Sequence, residues 1–273
     1  MKVKILGLSC AYRNEPDVAW FVQYALKAID KFGRRINEQV SIETEFVDLA
    51  DKEIKPCGDC PRLCDPSNAA NRSDGSPPDS GCIIEDDYMI ELLPKIKEAD
   101  GFVFGSSVHN LTYSTKFALL ADRLNSALFQ GYLSRKPATA LTCGNEQREG
   151  GQLSCIGEMG TVLVALEMLP IGWGASACGW GGGACLITGA PFVGRKDYMG
   201  IHMGVWAGRK VAEYAVMSRV AMQKMGPLYS REFMQVFHRP DREEPWWWNQ
   251  LDKEDEEYMM GLEKADIMKF GKK

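Results

Sequence analysis

The chain has 273 residues, of which 45% are hydrophobic and 25% charged, and its net charge at neutral pH is −5. These values are typical of globular proteins and exclude collagen-like, coiled-coil and wholly disordered chains. The acidic balance, without any block of basic residues, argues against nucleic acid or a membrane as partner. The apolar runs are too short or too interrupted to span a bilayer or to form a secretory signal, so we expect a cytoplasmic protein.

Hydrophobic periodicity predicts strands that alternate with helices through most of the chain. In order, we predict a strand at 3–8, a helix from Asp17, a strand at 41–49, a helix from Asp86, a strand at 101–105, a helix at 115–128, a strand at 138–142, a helix at 152–169, a fifth strand within 172–194 and a helix at 198–217. This alternation indicates an α/β fold with a doubly wound, five-stranded parallel sheet. Ligands of such sheets bind at the carboxyl ends of the strands.

The composition changes after Arg219, where three prolines and the run Trp246–Trp248 occur. We therefore divide the chain into a domain at residues 1–219, with a Cys-rich loop at 51–82, and a C-terminal extension at 220–273. A run of adjacent tryptophans forms an apolar patch that is unfavourable to expose to water, and tryptophan is enriched at interfaces. The extension is predicted to pack on its own domain or on a neighbouring subunit.

Polar residues follow the first, third and fourth predicted strands. The first loop offers Ser9, Arg13 and a helix N-terminus, which together suit a phosphate. The second contains Ser106, Ser107, Val108, His109 and Asn110, and the third contains Thr142, Gly144, Gly150 and Gly151. Small hydroxyl residues and glycines at strand ends leave room for a flat ligand and can hydrogen-bond its edge. The dinucleotide motif G-x-G-x-x-G and the P-loop motif are both absent.

Nine cysteines, an odd number, disfavour a disulfide framework. Four of them form the pattern Cys57-x2-Cys60-x3-Cys64-x17-Cys82 in the polar loop. Closely spaced thiolates are the ligands of iron–sulfur clusters and of structural zinc. A loop without metal remains a third interpretation. The other five cysteines (Cys10, Cys143, Cys155, Cys178 and Cys185) are interpreted as small buried hydrophobic residues.

Together these motifs resemble the NADPH-dependent FMN reductase family of flavodoxin-like proteins, and most closely its iron–sulfur flavoprotein branch. The resemblance covers about residues 2–218. It is carried by Gly7, Ser9 and Arg13; by Gly105–His109, Lys116–Phe117 and Asp122–Arg123; by Thr142, Gly144 and Gly150–Gln152; and by Cys82 with Asp86 and Asp87. The order of these motifs along the chain is also that of the family.

The resemblance implies that residues 1–219 form a flavodoxin-like, FMN-binding domain whose cofactor contacts are the residues of the three loops. It implies a [4Fe-4S] cluster at Cys57, Cys60, Cys64 and Cys82, with zinc or no metal as alternatives. NAD(P)H is a candidate co-substrate, and His109 is the one candidate for a catalytic proton donor. Assembly as a homodimer or homotetramer is also implied, because related reductases build the flavin pocket from two subunits.

Three functions therefore remain open. The first is a flavin-dependent oxidoreductase that couples FMN to the cluster and exchanges electrons with NAD(P)H, a ferredoxin-like protein or a small-molecule acceptor. The second is an NAD(P)H-dependent FMN or quinone reductase in which the cysteines are structural. The third is a flavodoxin-like electron carrier that is not an enzyme.

Overall fold

The computed structural model describes residues 1–11, 16–36, 39–58, 60, 64, 82–144, 151–172, 175–178 and 197–225. The elements in chain order are β1 (Lys2–Ser9), α1 (Pro16–Ile36), β2 (Ser41–Asp48), α2 (Met89–Glu98), β3 (Gly101–His109), β4 (Thr112–Tyr113), α3 (Thr115–Arg123), α4 (Asn125–Phe129), β5 (Pro137–Gly144), α5 (Gln152–Ala165), β6 (Leu169–Pro170), β7 (Ala175–Cys178) and α6 (Tyr198–Met225). Arg13, Gly150, Trp246–Trp248 and the extension beyond Met225 lie outside these residues.

The strands form one sheet in the order β2-β1-β3-β5, and both β6 and β7 pair with β5. All these pairings are parallel, and only β4 is antiparallel, to β3. Strand β6 pairs with the start of β5 and β7 pairs with its end, so the two together occupy one strand position beside β5. The order is that of a flavodoxin-like doubly wound fold. The predicted fold class is confirmed, with six parallel strand segments among the described residues where five strands were predicted.

Helices cover both faces of the sheet. Helices α1 and α6 pack on one face, where Phe21 and Val211 meet Ile5 and Val103. The other face buries Leu92, Phe117 and Met159, among others, against the remaining side chains of the same strands. Gly105 allows α1 to approach closely, because a Cβ atom there would lie 2.4 Å from a methyl carbon of Val22. In the described part of the chain helices thus cover both faces of the sheet, and ligands of such sheets bind at the carboxyl ends of the strands.

The third strand is longer than the sequence predicted. It was expected to end at Gly105 but continues to His109, because β5 pairs with it as far as Ser107 and β4 pairs with its last two residues. Ser106 and Ser107 are polar, which made them resemble a loop, yet both are buried. Part of the second predicted loop is therefore the end of a strand.

Several helix boundaries also differ from the prediction. The helix expected at 115–128 is two helices that meet at Leu124. The helix expected to reach residue 169 ends at Ala165, because Glu167 adopts a positive φ of 60° before the short β6. The helix expected at 198–217 continues to Met225 and so crosses the proposed boundary at residue 219. Within the described ranges, no helix combines the length and hydropathy needed to cross a bilayer.

Candidate functional site

Two buried hydroxyl groups at the carboxyl edge of the sheet lack a hydrogen-bond partner in the described part of the chain. These are Oγ of Ser9, the last residue of β1, and Oγ1 of Thr142 in β5; neither residue is exposed. Ser9 and Thr142 lie on the two strands that flank β3, since Ser9 is in register with Gly105 and Thr142 with Ser106. Their side chains are on opposite faces of the sheet, because the residues before them, Leu8 and Leu141, belong to different core clusters. Leaving a buried hydroxyl group without a hydrogen-bond partner costs free energy. The two hydroxyl groups therefore suit a site where a bound ligand would supply the missing hydrogen bonds.

Ser114 joins the ends of β1 and β3. Its hydroxyl group donates to the carbonyl oxygen of Cys10, and its backbone N–H donates to Oγ of Ser106 over 2.9 Å. The same hydroxyl accepts from the N–H of Phe117 and so caps α3. The hydroxyl of Ser106 in turn donates to the carbonyl of Ser107 over 3.0 Å. The Ser106 side chain is thus engaged within the protein, and it fixes the geometry of the edge.

His109 lies at the tip of a β-hairpin formed by β3 and β4. His109 pairs with Thr112, and the two residues between them, Asn110 and Leu111, have φ values of 48° and 68°. Two positive φ angles in a two-residue loop are typical of a type I′ turn. The ring nitrogen Nε2 of His109 lies 3.0 Å from Oγ of Ser107. The contact with Ser107 therefore holds the exposed imidazole against β3, the strand whose end forms part of the predicted flavin loop.

The hairpin packs against the start of α5, which brings the second and third predicted loops together. Gly151 precedes α5 with a φ of 43°, and a Cβ atom there would lie 2.5 Å from Cα of Leu111. Only glycine fits both the backbone angle and the contact. Gly144 similarly approaches the side chain of Gln152. Of the predicted cofactor residues, the structure places all but Arg13 and Gly150, and it gathers them at one edge.

The four cysteines of the polar loop lie near one another. The pKa of the Cys64 thiol is raised to about 11, first by burial and then by the neighbouring thiols of Cys60, Cys82 and Cys57. The pKa of Cys57 is also raised, first by burial and then by Cys60 and Cys82. Four mutually interacting thiols are a donor set suited to a soft metal. Across the parts of the chain that the structure describes, however, no three potential ligands are already arranged to coordinate an ion.

A buried ion pair contacts the chain two residues before Cys57 and two residues after Cys82. Arg123, at the end of α3, binds both carboxylate oxygens of Asp87, and the side chains of both residues are fully buried. The guanidinium group also donates to the carbonyl oxygens of Lys55 over 3.0 Å and Ile84 over 3.2 Å. Asp87 accepts from the backbone N–H of Lys55 over 2.9 Å. The Arg123–Asp87 ion pair therefore connects the segment that precedes Cys57 to the segment that follows Cys82.

Lys116 makes a second contact from the same helix. Its ammonium group donates to the carbonyl of Lys52, and burial lowers the pKa of the amine. The sequence placed Lys116, Asp87 and Arg123 in family motifs but gave them no role. Asp87 and Arg123 are 36 residues apart, so only the folded chain shows that they meet.

A cavity of about 320 Å³ lies away from this edge, between α5 and the strands β5 and β6. It is lined by apolar and small residues, including Ile156, Gly160 and Val164. None of the predicted site residues that the structure describes lines this cavity. The functional assignment therefore rests on the strand ends and not on this cavity.

The fold and the strand-end site define a flavodoxin-like flavoprotein. Residues 3–179 match the NADPH-dependent FMN reductase family, and the chain belongs to that family. It is thus a flavin-dependent oxidoreductase that uses FMN, as the sequence motifs predicted.

Curated relatives agree with this family, and a solved structure shares the fold. An iron–sulfur flavoprotein of Methanocaldococcus jannaschii is 32% identical over 218 residues, which cover 77% of this chain and 96% of the relative. An iron–sulfur flavoprotein of Archaeoglobus fulgidus is 27% identical over 173 residues, or 63% of this chain and 76% of the relative. The structure of RosB with a bound 8-demethyl-8-formylriboflavin-5'-phosphate intermediate is similar in fold, with a TM-score of 0.55 and 20% identity over 80% of this chain and 81% of RosB.

Proposed function

We propose that FMN binds at the carboxyl edge of the sheet, between the ends of β1, β3 and β5. The unpartnered hydroxyl groups of Ser9 and Thr142 are the observation that supports this position most directly. Ser9 and Arg13 would bind the phosphate, while Ser106–Asn110, Thr142, Gly144, Gly150 and Gly151 would surround the ring. Backbone and hydroxyl groups at such an edge hold the flavin and leave the redox chemistry to it.

His109 is proposed as the proton donor of this site. The imidazole is exposed on the hairpin, and the contact between its Nε2 and Oγ of Ser107 restricts the orientation of the ring. It is thereby held at the edge where the flavin would bind, and it stays open to solvent for reprotonation. A His109→Gln variant should keep FMN but transfer protons more slowly.

The four cysteines are proposed to bind a [4Fe-4S] cluster. Their mutual proximity and the iron–sulfur flavoproteins among the relatives support this assignment. When bound, FMN accepts electrons in pairs or singly and a cluster passes them singly, so the protein would connect two-electron and one-electron carriers. Helix α3 begins beside Ser106 and ends where Arg123 contacts the carbonyl of Lys55, so the two proposed sites would be separated by a distance similar to its length of roughly 13 Å.

An NAD(P)H-dependent FMN or quinone reductase with structural cysteines is the second candidate, and the description of the matched family, NADPH-dependent FMN reductase, supports its reductase activity. Rapid bleaching of the flavin by NAD(P)H alone, in protein without iron, would establish this candidate. Iron and sulfide bound beside the flavin, with reduction by either a ferredoxin-like protein or NAD(P)H, would establish the first.

The binding of FMN itself can be tested by heating purified protein and separating the released flavin by chromatography. We expect FMN in the supernatant. FAD, or no flavin even after incubation with excess FMN, would contradict the proposal. For the cluster, Cys→Ser changes at positions 57, 60, 64 and 82 should each lower iron content, whereas Cys155→Ala should not.

A further inference from the structure

We propose that Arg123 is a positioning residue for the metal centre, because its buried guanidinium group fastens together the two chain segments that carry Cys57 and Cys82. These segments, residues 52–57 and 82–88, are called the two stems below. The inference rests on the proposed metal site at the four cysteines. It assigns a function to an ion pair that the flavin site does not use.

The contacts of Arg123 reach both stems. The guanidinium group donates to the carbonyl of Lys55 in the first stem and to the carbonyl of Ile84 in the second. Asp87 holds the guanidinium in place and also accepts from the backbone N–H groups of Lys55 and Met89. A further bond, from the N–H of Tyr88 to the carbonyl of Glu53, joins the stems directly. The base of the Cys-rich loop is therefore fixed by side chains that do not bind metal.

Fixing the stems matters because the loop between them is long. Cys64 and Cys82 are separated by 17 residues, and bringing the ends of a chain segment together costs entropy that rises slowly with its length. Holding Cys57 and Cys82 close together before metal binds removes part of that cost. Residues that orient ligands without binding the metal commonly change metal affinity by about 10–100-fold when they are replaced.

Only arginine can make this arrangement. A guanidinium group presents donors in several directions in one plane, so it can bind a carboxylate and two carbonyls together. Lysine would keep the charge opposite Asp87, but its single ammonium group cannot reproduce the planar fork. An Arg123→Lys variant therefore separates charge compensation from the fastening of the stems.

The test compares full-length wild type, Arg123→Lys and a control, Arg219→Lys, after removal of bound metal by a chelator. Arg219 is a suitable control because it pairs with Asp100 at the opposite edge of the sheet, 3.2 Å away. Binding of Cd²⁺ is followed by sulfur-to-metal charge-transfer absorbance, and amide hydrogen exchange is followed by mass spectrometry in the metal-free proteins.

We expect Arg123→Lys to weaken Cd²⁺ binding at least tenfold and to speed exchange in the two stems at least tenfold, with no change in β1 or α1. Arg219→Lys should change neither quantity. If Arg123→Lys leaves both quantities unchanged, or speeds exchange throughout the sheet to the same extent, the inference is wrong. Should Arg123→Lys fail to fold, Asp87→Asn replaces it with the same expectations, because it removes an acceptor for the Lys55 or Met89 N–H.

The two proposals fail in different ways. Wild type that binds neither Cd²⁺ nor, on reconstitution, iron and sulfide at the four cysteines would contradict the metal site, and the exchange of the stems would then decide only whether Arg123 fastens them. Normal Cd²⁺ affinity and normal exchange in Arg123→Lys would leave the metal site standing and would contradict only the inference.

Discussion

Lys116 and Arg123, seven residues apart on α3, both donate to backbone carbonyls of the segment that leads from β2 to Cys57. Lys116 binds the carbonyl of Lys52, and Arg123 binds that of Lys55. Seven residues are two helical turns, so both side chains extend from the same face of the helix. The helix that begins at the candidate flavin edge thus positions the start of the Cys-rich loop.

The first prediction concerns the unpartnered hydroxyl groups. Replacing Thr142 by Val, or Ser9 by Ala, should lower FMN affinity by about 10–100-fold, the range expected when hydrogen bonds worth about 1.5–3 kcal/mol to a charged or polarised ligand are lost. The flavin-free protein should be no less stable, because these hydroxyl groups have no partner there among the described residues. Fluorescence titration with FMN and urea unfolding of the flavin-free protein measure the two effects.

Thr139 provides the matched control for this change. It lies on the same strand as Thr142, but its hydroxyl donates to the carbonyl of Ile171 over 3.1 Å. Thr139→Val should lower the free energy of unfolding by about 1 kcal/mol and leave FMN affinity intact. If the two threonine variants behave alike, Thr142 has no special relation to the flavin.

The second prediction concerns the stability contributed by Arg123 and Asp87. Both side chains are fully buried, so Arg123→Met or Asp87→Asn alone should lower the free energy of unfolding by about 3–5 kcal/mol, because one charge remains buried without its partner. The double variant should cost less than the sum, with a coupling of about 0.5–3 kcal/mol. Strict additivity in a double-mutant cycle would show that the two residues do not act as a pair.

The third prediction is a pH dependence that arises from Lys116. Burial lowers the pKa of its amine below 10.5, so the unfolded state binds more protons than the folded state between the two pKa values. The free energy of unfolding contributed by this residue should therefore rise with pH up to about 10.5. In Lys116→Met this contribution is absent, so the stability of wild type relative to the variant should increase from pH 8 to pH 10. A constant difference across that interval would mean that Lys116 is not desolvated.

The fourth prediction concerns the C-terminal extension. Because α6 continues to Met225 and Arg219 pairs with Asp100, a truncation at residue 219 would damage the domain itself. A chain that ends at residue 225 should keep the thermal stability of the domain but have a lower oligomeric state in light scattering than the full chain. The full chain is expected to be a homodimer or homotetramer. A full-length monomer at micromolar concentration would contradict this expectation.

The sequence predicted the fold well because alternating apolar segments determine which residues cover each face of a parallel sheet. It missed the length of β3, since Ser106 and Ser107 are polar and their burial depends on pairing with β5, which is distant in sequence. The candidate site residues at the strand ends were recognised in the same way, because they come directly after the apolar segments that predicted the strands. The joining of Asp87 and Arg123 was not, because no local pattern relates two residues that meet only through the topology of the fold.

FMN and an iron–sulfur cluster are proposed to be held by one chain, and an absorption spectrum of anaerobically purified protein distinguishes this arrangement from a protein that holds flavin alone. We expect flavin bands over a broad visible absorbance that dithionite bleaches, and substitution of Cys57 by Ser should abolish the broad component and keep the flavin bands. A spectrum that lacks either component after reconstitution with FMN, iron and sulfide would show that one chain does not hold both.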